Sequence, residues 1–260
     1  MAVSPDPIFE VRDINKHYGG VHALVDVNFK AFAGEIVGLV GDNGAGKSTL
    51  IKVIAGTHAP DSGEIFVDGQ RHRWKSPLDA IEAGIETLYQ DSGLAPDLTI
   101  GSNVFLGREK MRRGLLGRLG FVDQRAMEKE ALEDLTKVGI TVPPSKRTVA
   151  QLSGGQRQAV AIGRAISWAR KVILLDEPTN HLGARQAEEV LGVMRAARDS
   201  GLSVIFVSHT LPHVLRVSDR IVVLRLGRTI RDAPTSTFTA ESLLAAITGL
   251  DEMNSPPTDF

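Results

Sequence analysis

The sequence predicts an α/β fold in which a parallel-sheet core carries an antiparallel β subdomain and an inserted helical subdomain. Strands that helices cover on both faces read as short, continuous apolar runs. Four such runs occur, at residues 36–40, 172–175, 204–207 and 221–224. Shorter alternating segments bounded by Gly, Asp and Asn indicate antiparallel strands at residues 8–14, 25–32 and 65–67. Residues 128–138 favour a helix, and they lie in a mostly helical stretch over about residues 99–149.

Length and composition limit the domain count and the classes of function. The 260 residues suit one α/β domain, which we expect over residues 8–250, with mobile ends at 1–7 and 254–260. The absence of cysteine excludes disulfides, thiolate metal sites and a cysteine nucleophile. A net charge of -1 gives no electrostatic reason to expect a nucleic-acid partner. Since no signal peptide or membrane-spanning apolar run is apparent, we expect the chain to act from outside the bilayer.

A glycine-rich segment follows the first buried strand and carries the strongest chemical signal. Residues 41–49 read GDNGAGKST and match the phosphate-loop pattern G-x-x-x-x-G-K-[ST] between a strand and a helix. In this pattern, glycines let backbone N–H groups surround phosphate oxygens, the lysine binds the β and γ phosphates, and the serine hydroxyl binds Mg²⁺. We therefore predict that ATP phosphates contact Gly41, Asp42, Asn43, Gly44, Ala45, Gly46, Lys47, Ser48 and Thr49.

Two adjacent carboxylates end the second buried run. Asp176 and Glu177 follow the apolar residues 172–175, at the edge of a sheet where α/β proteins bind ligands. Phosphoryl transfer needs a metal ligand and a group that orients the attacking water. We assign the first role to Asp176 and the second to Glu177, because the phosphate loop makes a purely structural role for this pair improbable.

A second phosphate-binding surface precedes a predicted helix at residues 157–169. Residues 152–156 read LSGGQ, and a serine with two glycines at a helix start forms an anion site. This pentapeptide is the signature of the ATP-binding-cassette ATPases, which the chain resembles over about residues 9–249. The resemblance implies a P-loop NTPase cassette with a RecA-like parallel-sheet core. It also implies a head-to-tail dimer of two copies, in which the ATP held by one copy is covered by the signature of the other, namely Ser153, Gly154, Gly155 and Gln156.

The same resemblance assigns three isolated side chains. Tyr18 matches the aromatic residue on which adenine stacks, and His209 matches the switch histidine that contacts the γ-phosphate. Gln90 matches the glutamine that senses Mg²⁺ and water. The implied catalytic residues are therefore Glu177, His209 and Gln90, and the implied metal ligands are Ser48, Gln90 and Asp176.

The loop after the carboxylates departs from the family pattern. The family commonly continues Ser-Ala-Leu-Asp after Glu-Pro-Thr, whereas residues 180–183 here read NHLG. Gly183 thus replaces an aspartate that lies at the dimer interface of the family. This puts the contact across the dimer in doubt but leaves the two carboxylates untouched, so we expect hydrolysis to survive.

The segments around Gln90 indicate which transporters the chain resembles most. Residues 84–91, 94–100 and 103–109 look like those of importers of monosaccharides such as ribose, xylose, galactose or fructose, in their single-cassette form. The resemblance implies permease subunits and, indirectly, a secreted sugar-binding protein as partners. It also implies a location at the cytoplasmic face of the inner membrane of a prokaryote.

Other functions remain open at this stage. One is a soluble cassette ATPase in a non-transport assembly, another is an importer of a different small solute such as an amino acid, and a third is a regulatory module that binds ATP without useful turnover. The third is disfavoured because both carboxylates, His209 and the signature are present. Residues 110–114, with Arg118 nearby, are interpreted as a solvated basic loop in preference to a contact for anionic lipid or a permease.

Overall fold

The architecture rests on two β-sheets and nine α-helices in residues 6–90, 93–141 and 148–250, which are the residues that the computed structural model describes. In chain order the strands are β1 (Phe9–Tyr18), β2 (Val21–Ala31), β3 (Ile36–Gly41), β4 (Ser62–Val67), β5 (Gln70–His72), β6 (Ile85–Leu88), β7 (Val172–Asp176), β8 (Ser203–Val207), β9 (Arg220–Arg225) and β10 (Arg228–Pro234). The helices are α1 (Lys47–Ile54), α2 (Pro77–Glu82), α3 (Ile100–Val104), α4 (Leu115–Arg118), α5 (Gln124–Lys137), α6 (Gly154–Trp168), α7 (Ala184–Asp199), α8 (Leu211–Val217) and α9 (Ala240–Thr248).

The smaller sheet confirms the predicted antiparallel subdomain. Its four strands follow the order β2-β1-β4-β5, and each neighbouring pair is antiparallel. Alternating side chains point to opposite faces of a strand. Most apolar side chains of β1 and β2 are buried, namely Phe9, Val11, Ile14, Leu24, Val27, Phe29 and Ala31. The short strand β5 extends the sheet beyond the elements that the sequence predicted.

The larger sheet confirms the predicted parallel core. Its order is β10-β9-β3-β8-β7-β6, in which β9, β3, β8, β7 and β6 run parallel and β10 pairs antiparallel at one edge. The two faces of β3 belong to different hydrophobic clusters, with Ile36 and Val40 in one and Val37 and Leu39 in the other. Burial on both faces is why each central strand is a continuous apolar run.

Strand order brings the functional segments to one edge of this sheet. Strand β3 lies beside β8, and β8 lies beside β7, so the carboxyl ends of these three strands are neighbours. The segments that follow them start at Asp42, Glu177 and Ser208. Ligands of α/β proteins bind at this edge.

Helices α3, α4 and α5 occupy the stretch between β6 and α6 that the sequence predicted as helical. Phe105, Met127 and Leu135 are fully or almost fully buried there and join the same hydrophobic cluster as one face of the parallel sheet. The predicted start of the next helix was three residues late, because Ser153 caps α6 and the helix begins at Gly154. The domain limits at residues 8 and 250 stay a prediction, and most of the predicted mobile ends lies outside the described residues. In the three described stretches, no helix is both long and apolar enough to cross a membrane.

Candidate active site

The phosphate loop adopts a backbone that only glycine accommodates at two of its positions. Gly46 has φ 103°, and a Cβ atom there would lie 2.6 Å from the carbonyl oxygen of Ala23. A Cβ atom on Gly41, which has φ 155°, would lie 2.2 Å from the carbonyl oxygen of Leu224. Residues with a Cβ atom avoid such conformations and such distances. The loop therefore packs closely against β2 and β9 and leads directly into α1 at Lys47.

The ammonium group of Lys47 lies inside this loop. Its Nζ donates to the carbonyl oxygens of Gly41 at 2.7 Å and Asp42 at 2.9 Å. Burial lowers the pKa of Lys47 from its ordinary value, while the charges of Glu177, Asp42 and Asp176 act in the opposite direction. The lysine is thus a half-buried positive charge facing the carboxylates at the end of β7.

Asp176 and Glu177 stand in different surroundings although they are neighbours in sequence. Burial, followed by the charge of Glu177, raises the pKa of Asp176, and the positive charges of Lys47 and Lys52 counteract this. Glu177 has φ 53°, and its backbone N–H donates to the carbonyl oxygen of Val207 at 3.0 Å. A glutamate with positive φ is uncommon, and strained residues of this kind concentrate at functional sites.

His209 contacts Glu177 directly. Its Nδ1 lies 2.9 Å from Oε2 of Glu177, and the two side chains are 65% and 16% exposed, respectively. The histidine follows β8, whereas the glutamate follows β7, so this pair exists only because the two strands are neighbours. The His209 side chain is mostly exposed to solvent, whereas the carboxylate that it contacts is mostly buried.

One cavity of about 1030 Å³ brings most of the predicted site together. All nine phosphate-loop residues line it, together with Gln90, Asp176, Glu177 and His209. A volume near 1000 Å³ is at the upper end for small-molecule sites. Sequence reasoning missed several apolar or uncharged residues of the wall, namely Val21, His22, Ala23, Leu211, Leu226, Leu244 and Ile247.

Tyr18 is not among the described residues that line this cavity. The residue is 42% exposed, its hydroxyl hydrogen-bonds with Nδ1 of His58, and the two rings meet edge to face with their centroids 5.6 Å apart. Val21, at the start of the next strand, is the nearest residue in sequence that does line the cavity. The stacking role of Tyr18 therefore stays a prediction.

The signature residues form a separate surface at the start of α6. The hydroxyl of Ser153 accepts from the backbone N–H of Gln156 at 3.3 Å, and Oε1 of Gln156 accepts from the N–H of Ser153 at 3.0 Å. This reciprocal cap leaves Ser153 and Gly154 exposed. Within the described residues, the lining of the cavity does not include any of residues 153–156, as expected if one chain cannot use both surfaces for one ATP.

The loop that departs from the family pattern ends at the cap of α7. Gly183 precedes this helix, and its N–H donates to Oε1 of Gln186 at 3.3 Å. A Cβ atom on Gly183 would have only Oε1 of Gln186 near it, at 3.9 Å. The fold thus leaves room for a side chain here, so the structure supplies no packing reason for glycine.

Comparison with known proteins agrees with this geometry. The ABC transporter family matches residues 24–180. The chain is 41% identical to the fructose import ATP-binding protein FrcA of Rhizobium meliloti, over 99% of this chain and 98% of FrcA. It is 43% identical to the xylose/arabinose import ATP-binding protein XylG of Sulfolobus acidocaldarius, over 86% of each chain.

A solved structure gives the same result for the fold. The ATP-binding cassette MJ0796, in a dimeric post-hydrolysis state bound to ADP and Pi, is 27% identical with a TM-score of 0.71. The match covers 87% of this chain and 98% of that one. With its phosphate loop, paired carboxylates and signature, the chain belongs to the ABC transporter family and is one of its ATP-binding ATPases.

Proposed function

We propose that this ATPase energises the uptake of a simple sugar through a membrane permease, from the cytoplasmic face of a prokaryotic inner membrane. The observation that carries the proposal is the single cavity in which Lys47, Asp176, Glu177 and His209 face one another. The sugar is suggested by the names of FrcA and XylG, which are import ATP-binding proteins for fructose and for xylose or arabinose.

The protein's own groups divide the work of hydrolysis. The N–H groups of residues 43–49 and the ammonium of Lys47 bind the phosphates, which requires Lys47 to exchange its two carbonyl partners for phosphate oxygens. Glu177 accepts the proton of the attacking water, and His209 contacts the γ-phosphate and orients the carboxylate. Tyr18 supports the adenine once the base enters beside residues 21–23.

The oxygen donors that line the cavity fit Mg²⁺. The hydroxyl of Ser48, the amide oxygen of Gln90 and the carboxylate of Asp176 all face the same space, and Mg²⁺ prefers oxygen ligands shared with substrate phosphates. These three residues would hold the ion, which supplies positive charge to the β and γ phosphates. Burial raises the pKa of Asp176, and a cation at this carboxylate would lower that pKa again.

A second copy of the chain completes the site. The exposed signature of α6 offers N–H groups to an anion but does not reach the cavity of its own chain within the described residues. The solved cassette MJ0796 is dimeric. In our proposal, two copies close head to tail around two ATP molecules, and residues 90–107 pass the motion to a permease, which in turn receives the sugar from a secreted binding protein.

The dimer predicts a concentration-dependent ATPase. We expect the MgATP hydrolysis rate per subunit to rise with protein concentration, because each site needs residues of two chains. A Ser153→Arg variant should abolish this rise, since a long cation at the cap blocks close approach. A rate per subunit that stays constant across the series, in a protein that sizes as a monomer, would contradict the composite site.

Sugar uptake tests the transport role itself. We expect cells that lack the chain to lose uptake of one radiolabelled monosaccharide among fructose, xylose, arabinose and ribose. The parental chain should restore this uptake, and the Glu177→Gln variant should not, because hydrolysis drives the cycle. Unchanged uptake of all four sugars and of amino acids in the deleted cells would leave an ATPase of a non-transport assembly as the better description.

A further inference from the structure

The segment between α3 and α5 folds into an ordered hairpin, which we call the basic hairpin and define as residues 106–121. The N–H of Arg112 donates to the carbonyl oxygen of Phe121 at 2.8 Å, and the N–H of Asp123 donates to that of Lys110 at 2.6 Å. Helix α4 closes the tip, where the N–H of Phe121 also reaches the carbonyl oxygen of Leu116 at 3.1 Å. These backbone hydrogen bonds give the hairpin a defined shape on the helical subdomain.

The basic hairpin exposes an unusual amount of apolar surface. Fifteen large hydrophobic side chains are exposed in the described residues, and six of them fall within these sixteen positions. Leu115 is 72% exposed and Leu119 is 64% exposed. The complete set is Leu106, Met111, Leu115, Leu116, Leu119 and Phe121. Clusters of exposed apolar side chains mark interaction surfaces, whereas isolated ones are common on any protein.

Unpaired positive charge accompanies this apolar surface. The basic hairpin contains five basic residues and one acidic residue, Glu109. Two of the basic side chains are neutralised by the rest of the fold, since Arg108 pairs with Glu86 and Lys110 with Glu130. No carboxylate of the described residues pairs with the other three, the exposed Arg112, Arg113 and Arg118. The charge that remains is therefore directed to solvent or to a partner.

We propose that the basic hairpin binds the surface of an anionic lipid bilayer. Leucine and phenylalanine side chains enter the boundary between headgroups and acyl chains, and the three unpaired arginines bind headgroup phosphates. Apolar side chains interleaved with free basic ones are the composition of interfacial membrane contacts. A solvated basic loop, which the sequence alone favoured, does not explain six exposed large apolar side chains. The contact would hold the ATPase at the membrane independently of any permease, so this inference does not rest on the sugar.

Vesicle sedimentation of the full chain tests the electrostatic half of the proposal. We expect binding to vesicles of mixed phosphatidylglycerol and phosphatidylcholine to exceed binding to phosphatidylcholine alone and to weaken with added salt. Replacing the three arginines should weaken the binding about tenfold or more. The variant is Arg112→Gln, Arg113→Gln and Arg118→Gln. A control with the same charge change elsewhere, which should bind like the parent, is Arg71→Gln, Arg73→Gln and Arg185→Gln.

Two further variants test the apolar half. Leu115→Ser with Leu119→Ser should weaken vesicle binding about tenfold, whereas the same change at the exposed Leu78 and Leu250 should not. A Leu119→Trp variant should show a blue shift of its fluorescence on anionic vesicles, because the indole leaves water. All variants change exposed side chains and should keep the parental urea midpoint.

Three results would overturn the proposal. The first is equal binding to anionic and neutral vesicles. The second is equal loss of binding in the hairpin variants and their controls, which would reflect net charge or hydrophobicity alone. The third is parental vesicle binding by hairpin variants that no longer co-purify with a permease, which would make the hairpin a protein contact instead.

Discussion

Changing Glu177 to glutamine should stop ATP turnover while leaving ATP binding intact. The Glu177 carboxylate is only 16% exposed, lies 2.9 Å from Nδ1 of His209 and faces the cavity that contains the phosphate loop. Glutamine keeps the size of the side chain but cannot accept a proton from water. Loss of a general base typically lowers the rate about 10²- to 10⁴-fold. We expect the rate constant for hydrolysis to decrease by a factor in that range.

The measurement is MgATP hydrolysis at saturating ATP, beside equilibrium binding of ATP and size-exclusion chromatography. Because the variant binds ATP without consuming it, MgATP should also hold two copies together as a stable dimer. Glu133→Gln is a matched control on the exposed face of α5 and should hydrolyse ATP at the parental rate. A Glu177→Gln protein with parental turnover that stays monomeric in MgATP would refute the assigned role of this carboxylate.

Changing Lys47 to alanine should abolish ATP binding itself. Lys47 is the side-chain cation held inside the phosphate loop, where its Nζ lies within 2.9 Å of the carbonyl oxygens of Gly41 and Asp42. Removing it deletes the charge that binds the β and γ phosphates. A hydrogen bond to a charged group contributes about 1.5–3 kcal/mol, so two such contacts imply a loss of about 100-fold or more in affinity.

Titration calorimetry with MgATP and with MgAMP separates this effect from general damage to the site. The affinity for MgATP should collapse, whereas the weak affinity for AMP should change little, because AMP lacks the β and γ phosphates. Lys129→Ala provides the control, since Lys129 is an exposed lysine on α5 and lies outside the cavity lining. Equal losses for ATP and AMP would mean that alanine disrupts the loop, and parental ATP affinity would exclude Lys47 from phosphate binding.

Local sequence patterns were sufficient to predict the strands and the loop that contain the catalytic and phosphate-binding residues. The continuous apolar runs predicted the central strands because burial on both faces leaves no polar position, and β3, β7, β8 and β9 are found where they were expected. The phosphate loop was recognisable because its backbone requires glycine at particular positions, as the positive φ of Gly46 illustrates. Strands β5 and β6 and helix α2 escaped notice because they are too short for a periodicity to develop. Strand β10 and helices α7 and α8 were not predicted either, although β10 has seven residues and α7 has sixteen.

The sequence by itself thus determined the fold class, the family and the segments that contain Lys47, Asp176 and Glu177. Tertiary structure alone decided which side chains meet. It placed His209 against Glu177, brought residues 21–23 to the same cavity as Leu244 and Ile247, and paired Tyr18 with His58 by a hydrogen bond. It also decided that the apolar side chains of residues 106–121 stay exposed. The physical reason is that periodicity and turn chemistry are local properties of the chain, whereas strand order and side-chain contacts depend on packing between segments far apart in sequence.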